Sequence, residues 1–167
     1  MMNRKIITVV TVLTVVIILV AYFFVSSTNS LTTITVNPSG VQKVVGADFT
    51  LTLDVSNVRD LYGWQSRLGF NQGILDITSV SEGSFLKSGG STYFNYGVND
   101  TAGYVLVDCS LLGDISGVNG SGTLASIQFH VKSAGSCDLS LYDTSLIDHS
   151  EQTIAHTVTG GRFSSGS

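Results

Sequence analysis

The sequence predicts an all-β domain of nine short strands, a sandwich or barrel, preceded by one transmembrane helix. Three observations carry this reading: an uncharged run near the start, apolar residues recurring at every second position from about residue 32 onward, and eighteen glycines with a single proline that falls between strands. Frequent glycine suits tight turns joining paired strands, while proline stays out of sheet interiors because it cannot donate to the ladder. Many short strands at near-regular spacing close into a sandwich or barrel.

The helix comes first. Ile6 to Val25 are twenty residues without a charge, about 30 Å as a helix, which matches the hydrocarbon core of a bilayer. The run is rich in Val, Ile and Thr, weak helix formers in water, but in lipid every backbone amide must be paired internally and a helix achieves this. Arg4 and Lys5 precede the run, and the next basic residue is Lys43, so the N-terminus is expected in the cytoplasm and the rest outside. Residues 1–27 are thus a basic stub plus a signal-anchor helix over about 6–25, with 28–30 as a polar connector. Cleavage as a signal peptide after Ser27 is the competing reading, although the run exceeds the roughly 7–15 apolar residues of a signal sequence. Either way the domain is exported: single-pass at the cell membrane, or secreted if the helix is removed.

Beyond the connector the period is two. In Phe49-Thr-Leu-Thr-Leu-Asp-Val-Ser56, Phe49, Leu51, Leu53 and Val55 face one way and Thr50, Thr52, Asp54 and Ser56 the other. The other strands are expected at Thr32–Val36, Leu61–Phe70, Leu75–Val80, Tyr93–Val98, Tyr104–Leu112, Thr123–Lys132, Cys137–Tyr142 and Thr153–Phe163. Turn-rich pieces separate them, among them Asn37–Gly40, Ser88–Ser91, Asn99–Gly103 and Gly113–Gly122, and residues 164–167 read as a polar tail. No amphipathic helix is expected.

Composition excludes several functions. Beyond the apolar run six basic residues stand against twelve acidic ones, net −6, and the whole chain carries −4. Nucleic acid is therefore not an expected partner, since phosphate binding needs Lys and Arg. No Gly-x-Ser-x-Gly elbow, phosphate loop, His-Glu-x-x-His or Cys-x-x-Cys is present. The two glutamates, Glu82 and Glu151, both lie in turn-like contexts, which argues against a glycosidase carboxylate pair. An enzyme is not expected. His149, Glu151 and His156 are close enough in sequence to suggest a metal, but loop histidines are more commonly solvated. Asp143 and Asp148 lack the spacing of an EF-hand calcium loop. No metal or cofactor is expected, and a domain of this size buries enough surface to fold without one. Asn99 and Asn119 each begin a glycosylation sequon in a turn.

One family is suggested by the residues themselves. Leu61-Tyr-Gly-Trp-Gln-Ser-Arg-Leu-Gly-Phe-Asn-Gln-Gly-Ile-Leu-Asp-Ile-Thr-Ser-Val80 resembles the cohesin signature of an aromatic strand, a turn and a Leu-containing strand. Val45–Leu53, Phe94–Asp100, Gly122–Lys132 and Gly160–Phe163 resemble further cohesin motifs, in the family's order, over about residues 31–163. Asn71-Gln72 stands where the family usually has Asp-Pro, and Gly113–Gly122 is too short for the helix some members carry there. The resemblance implies a nine-stranded jelly-roll sandwich that docks dockerins, small calcium-dependent helical modules of exported proteins such as polysaccharide-degrading enzymes. The calcium would belong to the dockerin. Docking would use the sheet formed by the eighth, third, sixth and fifth of the nine strands.

Alternation assigns the outward residues of that sheet: Gln65, Arg67 and Gly69; Tyr93 and Asn95; Leu106, Asp108 and Ser110; Asp138, Ser140 and Tyr142. Phe94, Tyr96 and Val98, together with Trp64, Cys109 and Cys137, are expected in the core. Under the family's strand order Cys109 and Cys137 are two strand spacings apart, about 9.6 Å, too far for a disulfide, which spans up to about 7 Å between Cα atoms. Two other readings compete. One is a jelly-roll carbohydrate-binding module, which wants coplanar exposed aromatics where only Tyr93 and Tyr142 qualify. The other is a structural surface protein self-assembling through sheet edges or its helix.

Overall fold

Alternation in the sequence becomes alternation in burial. The computed structural model describes residues 31–166, so the predicted transmembrane helix and its connector lie outside the described residues. Among those described, no helix is long and apolar enough to cross a membrane. Eleven strands form: β1 (Thr32–Asn37), β2 (Gly40–Lys43), β3 (Asp48–Leu61), β4 (Gly63–Gly69), β5 (Leu75–Glu82), β6 (Thr92–Asn99), β7 (Tyr104–Leu111), β8 (Val118–Val131), β9 (Ser136–Ile147), β10 (His156–Thr159) and β11 (Gly161–Ser165). A one-turn helix, α1 (Ser84–Lys87), follows β5. Along β3, Phe49, Leu51, Leu53 and Val55 are buried, while Thr50 between them is exposed.

The strands make two sheets, a five-stranded one in the order β10-β1-β3-β8-β5 and a six-stranded one in the order β2-β11-β9-β4-β7-β6. Their inner faces meet over a single core whose centre is aromatic. Phe49 stacks on Phe163 at 5.3 Å and on Phe129 at 5.4 Å, and Phe70 meets Phe129 edge-on at 5.5 Å. Phe163 comes from the six-stranded sheet and Phe49 and Phe129 from the other, so the stack ties the layers together. Burying one such side chain stabilises by about 1.5–3 kcal/mol, and an aromatic pair adds about 0.5–1.5 kcal/mol.

At one edge of the sandwich a carboxylate holds the sheets together. Glu82, ending β5, accepts hydrogen bonds from Thr92 Oγ1 on β6 at 2.7 Å and Cys109 Sγ on β7 at 3.5 Å, and pairs with Lys87 Nζ at 3.0 Å. Burial pushes its pKa up, but the bonds from Thr92, Lys87 and Cys109 outweigh that and leave it lowered. Glu82 is therefore a structural group between the layers and not the turn residue expected.

The nine-strand expectation is corrected to eleven. The segment expected as one strand, Thr153–Phe163, is two: β10 pairs parallel with β1, and β11 pairs parallel with β2 and antiparallel with β9. Gly160 lies at the crossing between sheets, where a Cβ would sit 2.5 Å from the Leu139 carbonyl oxygen. β2 falls in what read as turn and loop, and β11 runs to Ser165, into the expected tail. β8 begins at Val118, so Asn119 sits in a strand and not in a turn. It is placed there by irregular pairing with β3, where Asn57 and Asp60 adopt left-handed backbone. Ser121 Oγ accepts the Asn57 N–H and Asn119 Oδ1 accepts the Asp60 N–H, each at 3.0 Å. Both polar residues of that sequon thus satisfy backbone donors.

β6 departs furthest from expectation. Phe94 packs against the core, but Tyr96 and Val98, expected inside, are 48% and 38% exposed. β6 is the last strand of its sheet, and its far half has no opposing strand to cover it.

Candidate docking face

The order expected from the resemblance corresponds here to β9-β4-β7-β6, and these four strands are neighbours in the six-stranded sheet. Their inner residues, Trp64, Ser66 and Leu68 on β4 and Val105, Val107, Cys109 and Leu111 on β7, are buried. The residues between them are therefore on the outer face.

Register brings most of the sequence-predicted residues together. Arg67 lies between Tyr142 on β9 and Leu106 on β7, and Gly69 between Ser140 and Tyr104. Gln65 neighbours Asp108, which in turn neighbours Asn95 on β6, and Ser110 neighbours Tyr93. Asn95 Nδ2 donates to Asp108 Oδ2 at 3.1 Å. Asp138 stands apart. It lies beyond the end of β4 and pairs with Arg162 of β11 at 2.6 Å.

A bulge organises the centre of the face. Between the pairs Gln65–Ser145 and Arg67–Tyr142, β9 carries Asp143 and Thr144 opposite Ser66 alone. Asp143 takes left-handed backbone, φ 47°, and this extra residue locally increases strand twist. Its carboxylate reaches Arg67 Nη1 at 2.6 Å, and Gln65 Nε2 donates to its carbonyl oxygen at 3.5 Å. The Arg67 guanidinium lies 5.0 Å from the centre of the Tyr104 ring, which meets Tyr142 edge-on at 6.5 Å. The Tyr142 ring sits close over Gly69, which has no side chain; a Cβ there would be 3.2 Å from the ring.

Sequence reasoning missed Tyr104 and Asp143. Tyr104 was within reach, since it shares the parity of Leu106, Asp108 and Ser110. Asp143 was not, because the bulge that presents it depends on pairing with a distant strand. Beside this cluster, Gly63, Gln65, Asp108, Ser110, Ser145 and Ile147 line a shallow depression of about 390 Å³. The two tyrosines expected on this face, Tyr93 and Tyr142, do not form a platform. Tyr93 and Tyr142 are three strands apart, roughly 14 Å at ~4.8 Å per strand, and lie at different levels along them.

The remaining candidates are dispersed. Cys109 lies level with Trp64, whereas Cys137 pairs with Phe163 beyond the end of β4. Their separation along the strands, roughly 25 Å by the usual rise per residue, exceeds the lateral spacing expected from strand order alone. Both thiols are free. Burial, reinforced by Glu82, pushes the Cys109 pKa up to about 12, and burial also raises that of Cys137. Cys137 is only half-buried, a correction to its expected place in the core. His149 Nδ1 bonds the Asp60 carboxylate, which raises the histidine pKa and lowers that of the aspartate. His156 bonds Ile154 O and Thr144 Oγ1. Among the described residues no three His, Cys, Asp or Glu side chains converge on a metal-sized site. Asn99 closes the β6–β7 hairpin, its Oδ1 accepting the Ala102 N–H at 2.9 Å.

A family model described as the cohesin domain matches residues 34–162. No curated protein sequence matches the chain. Among solved structures, a non-cellulosomal cohesin from the hyperthermophilic archaeon Archaeoglobus fulgidus superposes with a TM-score of 0.70 at 21% identity, over 83% of this chain and 93% of that one. The Coh-OlpC cohesin of a type I cohesin–dockerin complex from Clostridium thermocellum gives 0.68 at 14%, over 81% and 93%. The third ScaC cohesin of Acetivibrio cellulolyticus, solved in complex with the ScaB dockerin, gives 0.69 at 16%, over 82% and 100%. At these identities the likeness is one of fold.

Proposed function

The chain belongs to the cohesin family, and from that membership we propose that it is a protein-docking module for dockerin-bearing exported proteins, not an enzyme. The partner would sit on the outer face of β9-β4-β7-β6. The observation that carries this reading is the uncovered cluster of Arg67, Tyr104, Tyr142 and Asp143 at the centre of that face. Tyrosine and arginine are the residue types that most often dominate binding energy, and the surrounding Gln65, Asn95, Asp108 and Ser110 supply a hydrogen-bonding rim. Both of the bacterial cohesins compared above were solved in complex with dockerins.

We further propose that the uncharged run Ile6–Val25 holds this domain at the outer face of the cell membrane, the flanking Arg4 and Lys5 remaining inside. A receptor held in this way would gather its partners, polysaccharide-degrading enzymes among the candidates, at the cell surface. The carbohydrate-binding reading has less support, because Tyr93 and Tyr142 are too far apart to stack on neighbouring sugar rings.

The test is capture. The full chain, solubilised in detergent and immobilised, is presented with the exported proteins of the producing organism, with and without a calcium chelator. A dockerin-bearing protein should be retained and then released by chelator, since its own fold needs calcium. Retention of no such protein, with binding on a glycan array instead, would transfer the face to the carbohydrate reading.

A further inference from the structure

We propose that two copies of this chain associate through their β6 strands, in antiparallel register, to make one continuous sheet. Ser91 O accepts the Leu112 N–H at 2.9 Å and Asn99 O accepts the Gly103 N–H at 2.8 Å, so the odd-numbered residues of β6 direct their backbone groups at β7. In an antiparallel ladder these directions alternate. Phe94, Tyr96 and Val98 therefore direct their N–H and C=O groups at the open edge, where no described strand pairs with them.

Those same residues carry the misplaced apolar surface. Phe94 packs on the core, and the Tyr96 ring lies 6.3 Å from it on the same side of the sheet. Tyr96 and Val98 are nonetheless 48% and 38% exposed. One pairing event would satisfy the free backbone groups and cover these side chains together.

The occupant is a second copy because β6 complements itself. Thr92-Tyr-Phe-Asn-Tyr-Gly-Val-Asn99 contains no charge and no proline, and its pairing with β7 runs from Thr92 to Asn99 without a bulge. About a two-fold axis the strand meets its own reverse, which sets Phe94, Tyr96 and Val98 against the same apolar residues with no like charges opposed. The other edges are protected in the ways edges usually are. β5 carries the half-exposed Asp76 and is bulged at Thr78, while β2 and β10 are four residues each.

The experiment uses the full chain in detergent, with micelles in excess so that two apolar N-terminal runs do not share one. Sedimentation should show a monomer–dimer equilibrium. Hydrogen exchange resolved to single amides should show Phe94, Tyr96 and Val98 slowed at high protein concentration and freed by hundredfold dilution. Tyr93, Asn95 and Gly97, already bonded to β7, should not change. Tyr96→Lys opposes like charges across the axis and should weaken association at least tenfold, whereas Tyr93→Ala, on the outer face, should leave it intact. Exchange at the three edge amides that ignores concentration overturns the proposal, as does a folded Tyr96→Lys protein that associates normally. If Tyr96→Lys does not fold, the exchange pattern of the unaltered chain decides. Because Tyr93 belongs to the docking face and Tyr96 does not, loss of partner capture and loss of the dimer are separable.

Discussion

Arg67 and Asp143 meet with Nη1 and Oδ2 2.6 Å apart, and they meet because β9 carries one residue more than β4 at that point. The pair is exposed enough that it adds little stability, about 0–1 kcal/mol. Its consequence is orientation: the guanidinium is held over Tyr104, beside Tyr142. Arg67→Ala and Tyr142→Ala should each weaken a captured partner about 30-fold, which corresponds to about 2 kcal/mol. Thr50→Ala and Thr52→Ala, on the outer face of the other sheet, should leave affinity unchanged. Titration by calorimetry decides; a Thr52→Ala loss equal to the others would mean that the docking face is misassigned.

Phe129 is fully buried and touches both Phe49 and Phe70. Phe129→Ala should cost about 3–5 kcal/mol of unfolding free energy, measurable as a shifted urea midpoint at unchanged slope. The unaltered protein should melt at the same temperature with and without a calcium chelator, since apolar burial holds the fold.

Ser66 is fully buried on β4, and its hydroxyl has no hydrogen-bond partner in the structure. An unpaired buried hydroxyl costs about 1–3 kcal/mol in lost solvation. Ser66→Ala should therefore be neutral or stabilising by about 1 kcal/mol, contrary to the usual direction of core substitutions. A melting temperature several degrees lower would show that the hydroxyl is bonded after all.

Glu82 has a pKa lowered by Thr92, Lys87 and Cys109 against the opposing effect of its burial. A group with a lowered folded pKa contributes stability that is present above its unfolded pKa and lost as pH falls through the folded one. Urea midpoints should accordingly fall as the solution is acidified through the lower carboxylate range. Glu82→Gln should flatten that dependence while lowering stability at neutral pH. An equally steep acid limb in the variant would assign the effect to other carboxylates.

Cys109 and Cys137 should both be alkylated in denatured, unreduced protein, read by mass spectrometry as two modifications. In the native protein Cys109 should react far more slowly, because it is buried with its pKa pushed up to about 12. Absence of modification after denaturation would mean that the thiols pair.

The long strands were legible because each carries its own evidence. Phe49 through Val55 declare a half-buried strand without reference to anything else, and the same holds for β4, β7 and β8. What escaped depends on distant partners. Gly40–Lys43 has too few apolar residues to announce β2, which exists because β11 lies beside it. Alternation runs through Gly160 undisturbed, so nothing local marks the change of sheet. Tyr96 and Val98 follow the apolar period of β6, yet the period says only which side they face, not whether another layer reaches that far. On the face proposed for docking, alternation placed Arg67 and Tyr142 outward, while the bulge that delivers Asp143 is a property of two strands some eighty residues apart.

The pairing of β1 with β10 and of β2 with β11 has a consequence for how the protein is made. Thr32 must find His156, and Gly40 must find Arg162, contacts that span most of the domain and close late in any folding sequence. Until β10 has been made, β1 has no neighbour on that side, and until β11 has been made, β2 has none and β9 lacks its outer partner. The two C-terminal strands of the domain thus act as a clasp: the N-terminal strands gain their parallel partners only when β10 and β11 are in place.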